Sequence, residues 1–451
     1  MTWTPNWEAV RDEVVRYLQD LIRIDTTNPP GNETAAAEYL ARVLRAEGLE
    51  PVVLESAPGR GNLVVRLKGT GERPPLLLMS HTDVVPAEPE HWTHPPFGGE
   101  IHDGFVWGRG AVDMKDTVAV ELMLMLLFKR RLDAGGPPLK RDLIFMAAAD
   151  EEQGGEMGAG WLVRNHPDLI RAEYAINEGG GYGFQIGQKL YYTCQTAEKG
   201  YARFRLVARG APGHASVPRE DNAVVRLAET VAHIGCTPLP THFTETVRQY
   251  ITLIAEDQEE PVRSTLLRLL HPEHFMAALE QLPLSPVWRR QLLAITRNTA
   301  TPTMLQAGSK VNVIPSTAVA YVDGRVLPGF DREMFYAELE CLLCEGVELE
   351  FLDWGPPLES PVESPFFDVI KEVMAEHEPE AKVIPSMLTG ATDAKHIVKL
   401  GTKVYGFTPF KWEGDETLLT LAHAHDERIS VENLLFSVRV LYDVVDRFAG
   451  R

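Results

Sequence analysis

The sequence predicts an α/β protein: one layered α/β domain interrupted by a smaller α+β domain of ferredoxin-like order. Three observations carry this. Helical and strand patterns alternate over nearly 190 residues from the N-terminus. Near residue 197 the pattern changes to the order β-α-β-β-α-β. After "GPPLESPVESP" (355–365), which reads as a linker, the first style returns.

The elements follow in order. "AVRDEVVRYLQDLIRI" is amphipathic at helical spacing, and "ETAAAEYLARVLRAEGLE" (33–50) is a helix that stops at Gly48. "PVVLES" and "NLVVRLKG" are strands, and "PPLLLMSHTDVV" (74–85) is a buried one. "DTVAVELMLMLLFKRRL" (116–132) is a helix, "RDLIFMAAADEE" (141–152) a second buried strand, "EMGAGWLVRNHP" a helix and "AEYAINEGGG" a strand. In the inserted part, "KGYARFRLVARG" (199–210) is a strand and "DNAVVRLAETVAHIG" (221–235) a helix. "TPTMLQAGSKVNVIPSTAVAYVDGRVLPG" (301–329) is two strands joined at "GSK". "DREMFYAELECLLCEG" is a helix and "VELEFLDW" the last strand. "FFDVIKEVMAEHEP" and "TKVYGFTP" resume the α/β style. The expected layout is a discontinuous domain of residues 1–196 and 358–451 around a domain of 197–357, with a helical insertion near 237–296.

Composition bounds the function classes. The chain has 451 residues, 44% of them hydrophobic and 24% charged, as soluble globular proteins do. A formal net charge of -20 argues against a duplex nucleic-acid partner or an anionic membrane surface. The longest strongly apolar stretch, "VELMLMLLF" (120–128), is too short to span a bilayer and contains Glu121. The N-terminal stretch has no secretory pattern, so a cytoplasmic protein is expected. Four cysteines make no disulfide framework, and Cys341 and Cys344 are expected as buried helix positions rather than metal ligands.

The candidate chemistry lies at strand ends. In "LLLMSHTDVVP" alternation puts His81 and Asp83 on one face, so Asp83 can accept a hydrogen bond from the His81 nitrogen that holds no metal. The pair also suits a surface loop. In "VWGRGAVDMKD" Asp113 follows two glycines and precedes a long helix, where it could be an N-cap or a ligand. Glu151 and Glu152 follow an apolar strand and point different ways, so one can bind metal while the other takes a proton from water. Glu178 ends the next strand. Near the C-terminus "AHAHDERI" (422–429) supplies two more histidines. Two histidines with three carboxylates form a mixed N/O set suited to zinc, cobalt or manganese.

The motifs "SHTDVVP", "WGRGAVDMK", "DEEQGG", "NEGGG", "GAPGHAS", "VNVIPSTAVAYVDGR", "TGATDAK" and "HAHDERI", in this order, resemble one superfamily. It is the dinuclear zinc metallopeptidase superfamily of aminoacylase, carboxypeptidase G, acetylornithine deacetylase and succinyl-diaminopimelate desuccinylase. The aminoacylase and carboxypeptidase S-like branch looks nearest. The resemblance implies a zinc exopeptidase-like, three-layer catalytic domain with a ferredoxin-like lid that also serves dimerisation. It implies that His81 and Glu178 hold one metal, Glu152 and His423 the other, and that Asp113 bridges them. Asp83 would support His81, and Glu151 would be the general base that activates a bridging water against an amide carbonyl. His214 resembles a lid histidine that stabilises the oxyanion, often across a dimer. Asn312, Arg325, Gly390 and Lys395 match substrate-binding positions, although many relatives carry Arg at the position of Lys395. Counting back from Asp426 and Glu427 selects His423 over His425 as ligand.

The expected activity is hydrolysis of an amide bond in a small N-acyl amino acid or short peptide, with two divalent metals and a homodimer joined through the lid. The alternatives are a dipeptidase or carboxypeptidase, a deacetylase or desuccinylase, and, in a different class, an inert relative that binds a small ligand. An oxidoreductase is disfavoured, since "GGEMGAG" (154–160) lacks the G-x-G-x-x-G order that cradles a pyrophosphate.

Overall fold

Strands that are buried at every position need cover on both faces. Leu76–His81 and Leu143–Ala148 are buried throughout, and they lie side by side in parallel. They belong to a computed structural model that describes residues 3–414 and 420–450. The chain divides into two compact units, residues 1–196, 360–384 and 392–451, and residues 197–359 and 385–391. The loop that carries Gly390 therefore goes with the second unit, where the sequence reading assigned it to the first.

In the first unit the sheet runs Val52–Glu55, Gly61–Leu67, Leu143–Ala148, Leu76–His81, Tyr174–Asn177, Lys403–Gly406, Lys189–Glu198. The four central strands are parallel, and antiparallel pairs flank them. Helix Lys115–Asp133 is apolar nearly all round and accordingly buried nearly all round. Of its two buried acids, Asp116 and Glu121, the second accepts a hydrogen bond from Ser80 Oγ at 2.7 Å, and burial pushes its carboxyl well up. Helices Trp7–Arg23 and Val431–Gly450 pack against it. Trp7–Arg23 buries Val10, Val14, Leu18 and Leu21 along one stripe and is capped by Asn6. Two antiparallel hairpins were not foreseen, Glu100–His102 with Phe105–Trp107 and Gly183–Ile186 with Lys189–Glu198.

The second unit has an antiparallel sheet in the order Thr299–Ala307, Thr317–Val326, Gly200–Arg209, Val347–Gly355. Numbered along the chain this is 2-3-1-4, the ferredoxin-like arrangement. Helices Ala223–Cys236 and Arg332–Glu340 contribute Leu227, Phe335 and Leu339 to a core with Phe204, Leu206, Ala320 and Val322. Four helices between Glu245 and Ile295 form the insertion.

Two expectations are corrected here. The two strands of 301–329 pair with each other, but their connection is longer than "GSK": it runs over residues 308–316, where Val313–Ile314 breaks away to pair with Gly213–His214. Cys341 and Cys344 are not buried helix positions. The helix ends at Glu340, Cys341 is exposed and Cys344 is half-buried, and both are free thiols. No helix among the described residues is long and apolar enough to cross a membrane.

Candidate metal centre

Ligand sites in α/β sheets form beyond the carboxyl ends of parallel strands, and four of the candidate residues lie there. His81 is the last residue of its strand and 2% exposed. Glu178 follows Tyr174–Asn177 directly. The strand Leu143–Ala148 ends earlier than the sequence suggested. Two residues later Asp150 takes a left-handed φ of 72°, and Glu151 and Glu152 start a short 3₁₀ turn.

Asp113 sits in the turn before helix Lys115–Asp133 but is not its cap. Met114 holds that place, without a side-chain bond. The two glycines of "GRG" admit close neighbours. A Cβ on Gly108 would meet Ile22 at 2.4 Å, and one on Gly110, at φ +89°, would meet Lys115 and Val84. Glu427, fully buried, fastens the turn. Its carboxylate accepts from Val112 N at 2.7 Å, Asp113 N at 3.0 Å and Arg109 at 2.7 Å. His423 stands on the same C-terminal loop at φ 63°.

Asp113 presents one oxygen to each side. His81 Nε2 lies 3.2 Å from Asp113 Oδ1 and 3.9 Å from Glu178 Oε1. His423 Nε2 lies 3.1 Å from Asp113 Oδ2 and 3.1 Å from Glu152 Oε1. Within each trio the ligand atoms lie within 4.8 Å of one another. Such spacings need only small adjustment to reach bonds of about 2.0–2.2 Å to a shared ion.

His81 Nδ1 is 3.0 Å from the Asp83 carbonyl oxygen and 3.5 Å from its carboxylate. A carbonyl can only accept, so Nδ1 carries a proton and is committed there, which leaves Nε2 as the ring atom that faces Asp113 and Glu178 and could ligate a metal. The Asp83 carboxylate also does work the sequence did not imply. It accepts from Glu151 N at 3.0 Å, Glu152 N at 3.1 Å and Asn28 Nδ2 at 2.8 Å.

The electrostatics favour a cation. Hydrogen bonds donated to Asp113 and Glu152 push the His423 imidazole up to about 10. Burial would lower His81, yet bonds to Asp113 and Asp83 carry it well above its ordinary value. Burial, and then the neighbouring Glu178 charge, push Glu151 well up. Acids this close repel one another, and the field that holds protons on both histidines is one that divalent cations satisfy. The donor set and its spacing fit two such ions.

His425 turns away from this constellation, with Nε2 3.1 Å from Glu88. Lys395 is 5% exposed, donates to the Thr392 carbonyl at 3.1 Å, and its charge lowers Glu151 while that of Asp393 raises it. In the second unit His214 and Asn312 are brought together on the ribbon where His214 pairs with Val313. There the Ala215 amide donates to Asn312 O at 3.1 Å. Arg325 lies elsewhere in that unit's sheet and pairs with Asp323 at 2.7 Å. Gly390 is partly exposed. Sequence reasoning missed Asn28, Arg60, Arg109 and Asp150, and gave Glu427 no role.

A family profile described as Peptidase family M20/M25/M40 matches residues 77–447. The N-fatty-acyl-amino acid synthase/hydrolase PM20D1 of Xenopus tropicalis is 28% identical over 97% of this chain and 86% of its own length. Aminoacylase-1 of Homo sapiens is 29% identical over 92% of this chain and 90% of its own. An M20 family metallo-carboxypeptidase from Sulfolobus solfataricus has the same fold. Its TM-score is 0.71 at 20% identity, covering 96% of this chain and 98% of that one.

Proposed function

The chain belongs to peptidase family M20/M25/M40, and on that premise we propose that it is a dinuclear metallohydrolase of small N-acyl amino acids or short peptides. The observation that carries this is Asp113, whose two oxygens each face a separate His and carboxylate pair. His81, Glu178 and Asp113 would hold one ion, and His423, Glu152 and Asp113 the other. The N/O donor set suits zinc, with cobalt and manganese as chemically similar occupants.

Bound there, two divalent ions would polarise the amide carbonyl and make water a stronger acid. The remaining work falls to side chains. Glu151 takes a proton from the attacking water and returns it to the leaving nitrogen, a role that its raised affinity for protons suits. The Asp83 carboxylate holds the Glu151 and Glu152 amides, which fixes where both acids begin. His214 would bond the developing oxyanion, and Asn312, Arg325, Gly390 and Lys395 would orient the substrate. The aminoacylase-1 and PM20D1 relatives support N-acyl amino acids as the substrate class. An exposed apolar edge strand supports a homodimer through the lid, with Met304 52% and Leu305 63% exposed. Light-scattering mass tests that dimer. We read the protein as cytoplasmic from its sequence.

A hydrolysis panel tests the activity. N-acetyl and N-fatty-acyl amino acids, dipeptides and N-succinyl substrates are compared with zinc, cobalt and manganese, and released amine is measured. Metal-dependent release from N-acyl amino acids is expected. Metal-loaded protein that releases no amine from any of them would overturn the proposal.

A further inference from the structure

The stretch "IDTTNPPGNE" (24–33) belongs to no element of the sheet and supplies no ligand to the metal centre. It nonetheless runs beside the catalytic strand end. Thr27 pairs in parallel with Val84, Asn28 N donates to Val84 O at 2.9 Å, and Thr26 Oγ1 donates to Thr82 O at 2.6 Å. His81 and Asp83 lie on that same segment.

Behind it sits a buried guanidinium. Arg60 is 6% exposed. Its Nη1 donates to Asn28 Oδ1 at 3.1 Å and to Pro30 O at 2.7 Å. Its Nη2 lies 2.5 Å from Asp150 Oδ1 and 3.0 Å from the fully buried Glu33. Asn28, itself 2% exposed, passes the contact on, with Nδ2 2.8 Å from Asp83 and 3.3 Å from Asp150. Asp150 closes the turn by accepting from Met157 N at 2.9 Å. Gly31 is needed for this arrangement. It has φ +88°, and a Cβ there would fall 1.9 Å from Arg60 Nη1. "NPPGNE" therefore reads residue by residue: Asn28 relays, Pro30 accepts, Gly31 makes room and Glu33 faces the guanidinium.

We propose that Asn28 and Arg60 are positioning residues, a clamp that fixes Asp83 and Asp150 and thereby aims Glu151 and Glu152. Arg60 sets Asp150, the residue before Glu151, in its left-handed conformation, which a non-glycine residue rarely adopts unaided. Asn28 sets the Asp83 carboxylate, which in turn holds the Glu151 and Glu152 amides. Two links thus converge on one turn. The catalytic part of this inference rests on the hydrolase reading above, and the geometric part does not.

The test uses the full chain loaded with metal. Arg60→Met is expected to lower kcat about 10²-fold, as displaced supporting shells do, with KM within about twofold and both metals retained. Arg60→Ala leaves a cavity lined by the same carboxylates, and there guanidinium chloride at about 0.1 M should restore about a tenth or more of the lost rate. Arg60→Lys should fall between, because a point charge cannot fork to Asn28 and Asp150 together. Loading with Co2+ gives a readout independent of turnover, and the Arg60→Met absorption spectrum should differ from that of the wild type because the Glu152 carboxylate moves. Asn28→Asp, which sets a like charge beside Asp83 and Asp150, serves if Arg60→Met does not fold, and should change kcat and spectrum the same way. A variant with lowered melting temperature but unchanged kcat and an unchanged Co2+ spectrum would overturn the clamp. If the wild type hydrolyses no amide, the proposed function fails, and the Co2+ spectrum still decides the clamp.

Discussion

His423 Nε2 lies 3.1 Å from Asp113 Oδ2, a contact that joins a C-terminal loop to a turn 310 positions earlier in the chain. His425, two residues on, meets Glu88 instead. The two histidines of "AHAHDERI" therefore predict different outcomes. His423→Ala should leave one trio without its imidazole and bind a single metal after dialysis. His425→Ala should keep two. Elemental analysis of the purified variants decides, and equal metal content in both would remove His423 from the site.

Glu151 adds nothing to either ligand trio, so its removal should separate chemistry from metal binding. Glu151→Gln is expected to retain both metals and to lose about 10²–10⁴-fold in kcat, the usual worth of a general base. Full turnover with both metals in place would refute the assigned role.

What the sequence disclosed and what it concealed divide along physical lines. His81, Glu151, Glu152 and Glu178 were legible because each is a polar residue that breaks an apolar strand at or near its end. Asp113 and His423 were legible through motif order, since neither ends a strand of the main sheet. Asn28, Arg60 and Glu427 were not assigned roles, because a buried charge declares itself only through partners. Arg109 and Glu427 stand 318 positions apart, and Arg60 and Asp150 stand 90 apart. The length of the "GSK" connection was hidden for a related reason. Val313–Ile314 pairs with a two-residue segment near 213 that no local pattern marks as a strand.

The Arg109–Glu427 pair predicts a stability effect rather than a chemical one. Both side chains are buried, at 2% and 0% exposure. Glu427→Ala strands the guanidinium and leaves the Val112 and Asp113 amides without their acceptor. A loss of about 3–5 kcal/mol is expected. The measurement is urea unfolding at pH 8, above the value of about 7 to which burial lifts the Glu427 carboxyl. Glu427→Gln keeps an oxygen for the two amides and should cost less. An alanine variant as stable as the wild type would show that the pair contributes nothing.

Lys199 in the second unit predicts a pH dependence. Its ammonium is 1% exposed and donates to Ala294 O at 2.9 Å, Arg297 O at 2.8 Å and Thr299 Oγ1 at 3.4 Å. Burial, helped by the charges of Arg325 and Arg297, lowers it to about 7. Below that value folded and unfolded chains both hold the proton, and the buried charge counts fully against folding. Between about 7 and the unfolded value near 10.4 the folded chain has released a proton that the unfolded chain keeps. Stability contributed by this group therefore rises with pH across that window, by at most about 1.4 kcal/mol per unit. Lys199→Met takes the donor from two carbonyls but also removes the buried charge, and its stability should depend less steeply on pH. Urea midpoints at pH 7 and pH 9.5 give both slopes, and the difference between the proteins cancels other groups such as Lys115, which burial also lowers to about 7. Equal slopes would mean that Lys199 stays protonated in the fold.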